Sequence, residues 1–389
     1  MTASTSTPPT DRSPRAGLLT RHIREARVPG RPALRLGPVS TVWRPWPVAV
    51  TLILAVAAVF LFGASIGLGD YPLSVWKVLR VLFTGDGTRI ERLVVLDWRM
   101  PRAVTGLAVG AALGLSGALT QSVTRNSLAS PDILGITKGA SAAAATVIIL
   151  GSGGGHAGWL ASVGTPVAAL LGAVATALVI WLLAARRGAD PFRLVLFGII
   201  VSALLEAYIS YLLTTADTRD AATAQMWLTG SLGSSTWQRT LPISLLVVVC
   251  VPVTAWIAFR LLASLLGPDT ATALGQNTRA TQVVLLGLSV ALAAVAVAAS
   301  GPIGFVAFVA PQVALRLTRV AAPPLVASAL TGAVLLIGAD IITQSLLPVE
   351  LPVGLLTRSR RWPSPPPGRS ASSRSSPRRW RSASPGSRR

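Results

Sequence analysis

Long apolar runs, most of them near twenty residues, alternate along this chain with short polar connections. The runs fall at 46–66, 103–121, 133–150, 166–185, 194–213, 241–262, 283–299, 303–317 and 325–346. Such lengths suit helices that cross a bilayer, so the pattern predicts an all-α, polytopic helical membrane protein with about nine visible spans. The strict alternation that marks the strands of a membrane barrel is missing from all of them. A long polar break, RLLASLLGPDTATALGQNTRATQ at 260–282, divides the apolar part of the chain into two unequal blocks. Gly267-Pro268-Asp269 has the makings of a helix start, with the Asp269 charge favourable at a helix N-terminus. One short helix is expected over Ala271 to Leu274, as half of a helical pair, with Gly275 as its stop.

The 260–282 stretch is read as a surface that receives mechanical work from a partner; the alternative is an ordinary connection between two spans. Residues 1–45 hold eight Arg against Asp11 and Glu25, are rich in Ser, Thr and Pro, and are expected to form a disordered cytoplasmic tail. The first apolar run begins too late and is too long for a signal peptide, which makes it an uncleaved span with the N-terminus inside. Counting from there, Arg125, Arg186, Arg187, Arg193, Arg260, Arg279, Arg316 and Arg319 all fall on cytoplasmic connections. The 68–102 segment breaks the rule. It should be external, yet it carries Lys77, Arg80, Arg89, Arg92, Arg99 and Arg102, only partly offset by Asp70, Asp86, Glu91 and Asp97. Arg99 and Arg102 flank Met100-Pro101 at the mouth of a span, where they suit either docking of acidic groups or interfacial snorkelling.

Composition supports the membrane assignment. The chain has 389 residues, 51% hydrophobic and 13% charged, with a mean hydropathy of +0.61. The net charge of +21 is concentrated in the two ends, since residues 358–389 add ten Arg and no acid. Nucleic-acid binding is therefore a poor inference. Cys250, His22 and His156 are too few and too scattered for a disulfide framework or a metal site. A phosphate-binding Gly-Lys-Ser/Thr loop is also absent, so no cofactor is expected in this chain and no catalytic residue is assigned. Gly106, Gly110, Gly114 and Gly117 recur at three- and four-residue spacing, which allows close helix packing. Gln121, Glu206, Gln225 and Asp340 are polar groups in or near spans and are candidates for a translocation path. Lys138 is expected to snorkel from the inner end of its span.

Five blocks then appear in a recognisable order. The first is Arg99-Met100-Pro101-Arg102, continued by GAALGLSGALTQSVTRNSLASPDILGITKGA. The second is Met226-Trp227-Leu228-Thr229-Gly230-Ser231-Leu232 with Trp237, and the third Leu266-Gly267 with Ala273-Leu274-Gly275. GPIGFVAFVAPQVALRLTR is the fourth, and Gly338-Ala339-Asp340 with Glu350-Leu351-Pro352-Val353-Gly354 the last. Together, over 46–357, they resemble the iron-siderophore and vitamin B12 permease family of ABC importers, the FecCD type. PQVALRLTR with Gln312 is more similar to the ferric-siderophore branch.

That resemblance implies ten spans, a second permease subunit alongside, membrane lipid around them, two ABC ATPase subunits that bind the ATP, and an extracytoplasmic siderophore-binding protein. It implies ATPase coupling through Leu266, Gly267, Pro268, Asp269, Ala273, Leu274 and Gly275, and binding-protein docking at Arg99 and Arg102. Gln344 stands where relatives often carry a third docking arginine, Ser127 where proline is usual, and Gln312 where histidine is common. After Thr357 the family continues into a tenth apolar span, but here the chain turns to RSRRWPSPPPGRSASSRSSPRRWRSASPGSRR. Each arginine in a bilayer core costs at least ~2.5 kcal/mol, so this stretch does not cross a membrane. A shift of reading frame near Thr357 is the expected origin. The rival functions are a secondary transporter using Glu206 or Asp340 for protons, and an inactive, truncated permease.

Overall fold

The computed structural model describes residues 33–36, 39–42, 45–68, 73–152, 164–185, 191–265, 268–273 and 275–346. It is almost entirely helical. The exception is a small antiparallel hairpin, β1 (Ala33–Leu36) and β2 (Val39–Val42), with Ala33 opposite Val42. It lies within the tail expected to lack regular structure, where Leu34, Leu36, Val39, Thr41 and Val42 supply the β-favouring residues.

The helices follow as α1 (Pro45–Gly67), α2 (Val75–Thr84), α3 (Arg89–Arg92), a π-helical stretch (Leu93–Arg99) and α4 (Met100–Thr124). Next come α5 (Ile136–Ser152), α6 (Thr165–Ala185), α7 (Pro191–Thr215), α8 (Thr218–Leu228) and α9 (Trp237–Leu265). The series closes with α10 (Pro268–Ala273), α11 (Thr278–Ser300), α12 (Val306–Thr318) and α13 (Leu325–Leu346). Among the described residues seven helices are long and apolar enough to cross a membrane, and α5 and α12 are shorter apolar helices. These account for the nine apolar runs of the sequence.

The bundle is built around α4. It packs on α13, α11, α12 and α9, and nearly every residue from Thr105 to Thr124 is buried. Its glycines explain how so many neighbours fit. A Cβ at Gly110 would meet the Gly332 backbone, one at Gly114 the Ser328 carbonyl, and one at Gly117 the Ala307 carbonyl. Interhelical attraction in a bilayer comes from such close packing and from polar contacts, because lipid offers no hydrophobic drive between helices. Buried hydroxyls supply the polar part. Ser116 bonds to Ser289 (2.8 Å between hydroxyls), Thr120 to Ser289 (2.6 Å), and Thr105 to Thr240 (2.6 Å).

A second group, α5, α6 and α7, packs through Ala140, Ala144, Ala169 and Ala173, with α11 against it. The outward faces of α1, α6 and α7 expose large apolar side chains, among them Ile53, Phe60, Leu178 and Ile199. Only acyl chains or protein partners cover apolar surface on this scale. At the start of α1, the Trp46 indole donates to the Leu317 carbonyl (2.9 Å) and Arg319 lies 5.1 Å above its ring. This contact ties the start of α1 to the α12–α13 connection.

Two connections enter the bundle instead of staying at its surface. After Arg125, in the left-handed conformation, the chain folds back so that Gly135 lies against Gly198 and Ser202, two turns into α7. The α11–α12 connection packs Gly301 on Trp227 and Gly230, and α12 opens at Phe305 with φ +66°. Non-helical backbone is tolerated at this depth when protein buries it. Gly230 lies against Pro302, so two of the recurring sequence blocks meet backbone to backbone.

Candidate functional site

Residues 73–102 form a folded cap. Ser74 caps α2, and Thr88 with Glu91 forms a reciprocal capping box on α3. The Thr88 N–H, and then Lys77 at 3.1 Å, hold the Glu91 carboxyl below its ordinary range. Leu73, Val78, Val81, Val94 and Val95 bury against Ile66 and Ala103. The π-helical turns then deliver two arginines to separate partners. Pro101 has no N–H to give, and the Met100 N–H reaches five residues back to Val95.

Arg99 donates to the Ile66 and Gly67 carbonyls (3.1 and 3.3 Å), satisfying acceptors that the end of α1 leaves open. Arg102 forms a two-pronged pair with Asp340, Nε to Oδ2 at 3.0 Å and Nη2 to Oδ1 at 2.8 Å. Gln344 donates to the same Oδ2 at 2.7 Å. Three residues that the sequence assigned to two different roles thus form one clasp between α4 and α13. Asp340 belongs to this clasp, with its side chain only 10% exposed, apart from the other path candidates. Trp237 completes the cap by donating to the Leu96 carbonyl at 2.9 Å.

Gln121 also turns out to be a helix-to-helix contact. It is buried, accepts from Gln312 Nε2 (2.7 Å) and donates to the Phe308 carbonyl (3.2 Å). Pro311 deprives the Ala307 carbonyl of its helical donor, and Gly117 packs against that carbonyl. The α4–α12 contact is therefore close for a physical reason. Gln225 is exposed on α8, which has 11 residues and is too short to cross a bilayer by itself.

The Lys138 ammonium pairs with Glu206, near the middle of α7, and both side chains remain about half exposed. The two meet because the connection before α5 packs Gly135 against Gly198 of α7. Further along the same seam, the Thr146 and Tyr208 hydroxyls are 3.0 Å apart. The buried Ser202 hydroxyl, one turn from Glu206, has no hydrogen-bond partner. Asp132, beside them, engages the Thr137 hydroxyl and the Phe305 N–H.

In the 260–282 break, α10 runs from Pro268 to Ala273, and Gly275 follows at φ +77° with its N–H on the Thr272 carbonyl (2.9 Å). The expected start at Pro268 and stop at Gly275 are both present, in a single short helix in place of the expected pair. Asn277 caps α11 through the Ala280 N–H (3.0 Å). Ala273 and Gly275 are exposed, while Leu266, Gly267 and Leu274 lie outside the described residues. Among the described residues no group of three or more His, Cys, Asp or Glu side chains is placed to hold a metal ion.

A buried glycine-rich hub, flanking apolar helices and a short helix in the 260–282 break define a multi-pass membrane protein with the ABC importer permease fold. The chain belongs to the FecCD transport family, whose sequence profile matches residues 55–359. It is 38% identical over 313 residues to the ferric enterobactin transport system permease protein FepG of Escherichia coli (strain K12), covering 80% of this chain and 92% of that one. It is 37% identical over 313 residues to the iron(3+)-hydroxamate import system permease protein FhuG of Bacillus subtilis (strain 168), covering 79% and 91%. A solved structure described as an inward-facing conformation of a metal-chelate type ABC transporter superposes with a TM-score of 0.67. That structure is 27% identical, and the match covers 80% of this chain and 95% of that one.

Proposed function

We propose that this chain is the membrane-spanning permease subunit of an ATP-driven importer of iron chelates, with ferric siderophores as cargo. The observation that carries the reading is the match to the family over residues 55–359, which spans both apolar blocks and the polar break between them. The relatives that match over most of their own length are transport permeases for iron chelates. In this reading the chain sits in the inner membrane with its N-terminus in the cytoplasm. It works beside a second permease subunit, above two ATPase subunits that bind ATP, and below a siderophore-binding protein. The chelate brings its own cage for the iron, so the permease needs no metal ligands or cofactor.

Work from the ATPase enters through Leu266, Gly267, Pro268, Asp269, Ala273, Leu274 and Gly275. Docking of the binding protein involves Arg99 and the cap held by the Arg102–Asp340–Gln344 clasp. A proton-driven alternative would need a carboxylate that loads and releases protons. Both of its candidates are paired, Asp340 with Arg102 and Glu206 with Lys138.

The coupling role is tested by Leu274→Glu combined with Gly275→Trp in complexes reconstituted with the ATPase. Gly275 has a positive φ, and any side chain there strains the turn that ends α10. ATP-dependent uptake of ferric siderophore is expected to fall about tenfold or more, a loss of at least ~1.4 kcal/mol of coupling, while loaded binding protein still docks. Unchanged uptake would remove α10 from the coupling surface. The 358–389 stretch lies outside the described residues, and a reading-frame shift near Thr357 is proposed for it. Resequencing the gene checks this: a frame intact through codon 389 removes the proposal.

A further inference from the structure

The Lys138–Glu206 pair joins α5 to a helix, α7, that also exposes Leu196, Ile199, Ile200 and Leu204. Glu206 is near the middle of the 25-residue α7, and Lys138 is at its level because the Asn126–Gly135 connection re-enters the bundle. Their side chains are 43% and 54% exposed for Lys138 and Glu206 respectively. Acyl chains solvate neither charge, and even a paired ion is costly where lipid takes the place of water. The face that carries the pair therefore borders water or a polar ligand. Ser202 and the Thr146–Tyr208 hydroxyl pair extend the same polar strip along the α5–α7 seam.

Asp132 is the other charged group near Lys138, and it is engaged elsewhere. Its carboxylate takes the Thr137 hydroxyl and the Phe305 N–H, where the positive end of α12 offsets its charge. Lys138 and Glu206 are left as the exchangeable pair. An ammonium held by one flexible carboxylate on an exposed face accepts another oxygen anion with little rearrangement.

Resting on the importer reading above, we infer that Lys138 is a specificity-determining residue for net-negative iron chelates. Glu206 acts as a resident anion that occupies the ammonium until an oxygen of the chelate displaces it. The ligand class is an iron(III) chelate whose anionic oxygens outnumber the metal charge, such as a tris-catecholate. A charge-balanced trihydroxamate makes no such demand on Lys138.

The test has two arms. In the first, Glu206→Cys is introduced with Cys250→Ala, which removes the only native thiol, and intact complexes are treated with methanethiosulfonates of opposite charge. The sulfonate reagent is expected to react about tenfold faster than the trimethylammonium reagent, and adding Lys138→Met should abolish that preference. Phe60→Cys, on the apolar face of α1, serves as the lipid-facing reference and should resist both. No modification at position 206, or faster reaction with the cation, overturns the inference. In the second arm, Lys138→Met is expected to lower import of a ferric tris-catecholate about tenfold and spare a ferric trihydroxamate, with Lys138→Arg retaining import of both. Equal loss of the two chelates means the pair is merely structural, and a wild type that carries only the trihydroxamate also overturns the inference. If the wild type imports neither chelate under ATP, the importer reading itself fails, and the labelling result still decides whether Lys138 faces an anion-accepting path.

Discussion

Gly117→Leu is expected to abolish assembly of the permease, and Gly117→Ala to leave it folded only marginally or at reduced temperature. The reason is local. The Gly117 Cα lies against the Ala307 carbonyl, and the nearest atoms to an added Cβ are backbone, which has no rotamer to retreat into. Opening the contact would also break the Gln312–Gln121–Phe308 chain of hydrogen bonds one turn further on. Overpacking usually costs 1–3 kcal/mol and occasionally more. Leucine at this site should fall at the upper end, about 3 kcal/mol or beyond, because an added Cβ would overlap the Ala307 carbonyl oxygen. The measurement is the yield and thermal midpoint of detergent-purified complex, with Gly63→Leu as the control, since an added Cβ at Gly63 meets nothing within 4 Å. Normal yield and melting for Gly117→Leu would show that the α4–α12 contact is looser than the structure places it.

The second large effect is expected at the outer clasp. Arg102→Ala leaves Asp340 with a neutral amide from Gln344 in place of a two-pronged cation. Removing one partner of a largely buried pair costs about 3–5 kcal/mol, whereas replacing both with apolar groups of similar size is often neutral. Arg102 retains some exposure, so a loss near 3 kcal/mol is the better expectation. The double change Arg102→Met with Asp340→Leu should restore most of the thermal stability. It should not restore binding-protein docking if Arg102 also meets that partner. Recovery of stability without uptake, measured in the reconstituted complex, separates the two roles. A single variant as stable as the parent would show that the pair contributes little.

These two sites show how far the sequence could be read. The spacing of Gly106, Gly110, Gly114 and Gly117 identified a close-packed helix, and the structure adds which backbone each glycine meets. Arg102, Asp340 and Gln344 were each legible as polar residues at helix ends. Their joining was not, because 238 positions separate Arg102 from Asp340 and no local pattern records a contact that distant. Gln121 likewise read as an intramembrane polar group, yet its partner is set by Pro311 and by the packing of α12. The Lys138–Glu206 pairing is likewise a product of the fold, since 68 positions separate the two and the contact of Gly135 with Gly198 brings α5 beside α7.

By itself the sequence determined the class of protein, the nine apolar segments, the start signal at Pro268 and the stop at Gly275, and the family. Each depends on local periodicity, capping chemistry or motif order, all of which act within a few residues of chain. Only the tertiary structure decided the hub position of α4, the depth of α5 and α12, and the partners of Arg102, Gln121 and Lys138. Those follow from which helices touch. In a bilayer that choice is made by close backbone approach and by the need to pair each buried polar group, and neither leaves a periodic trace along the chain.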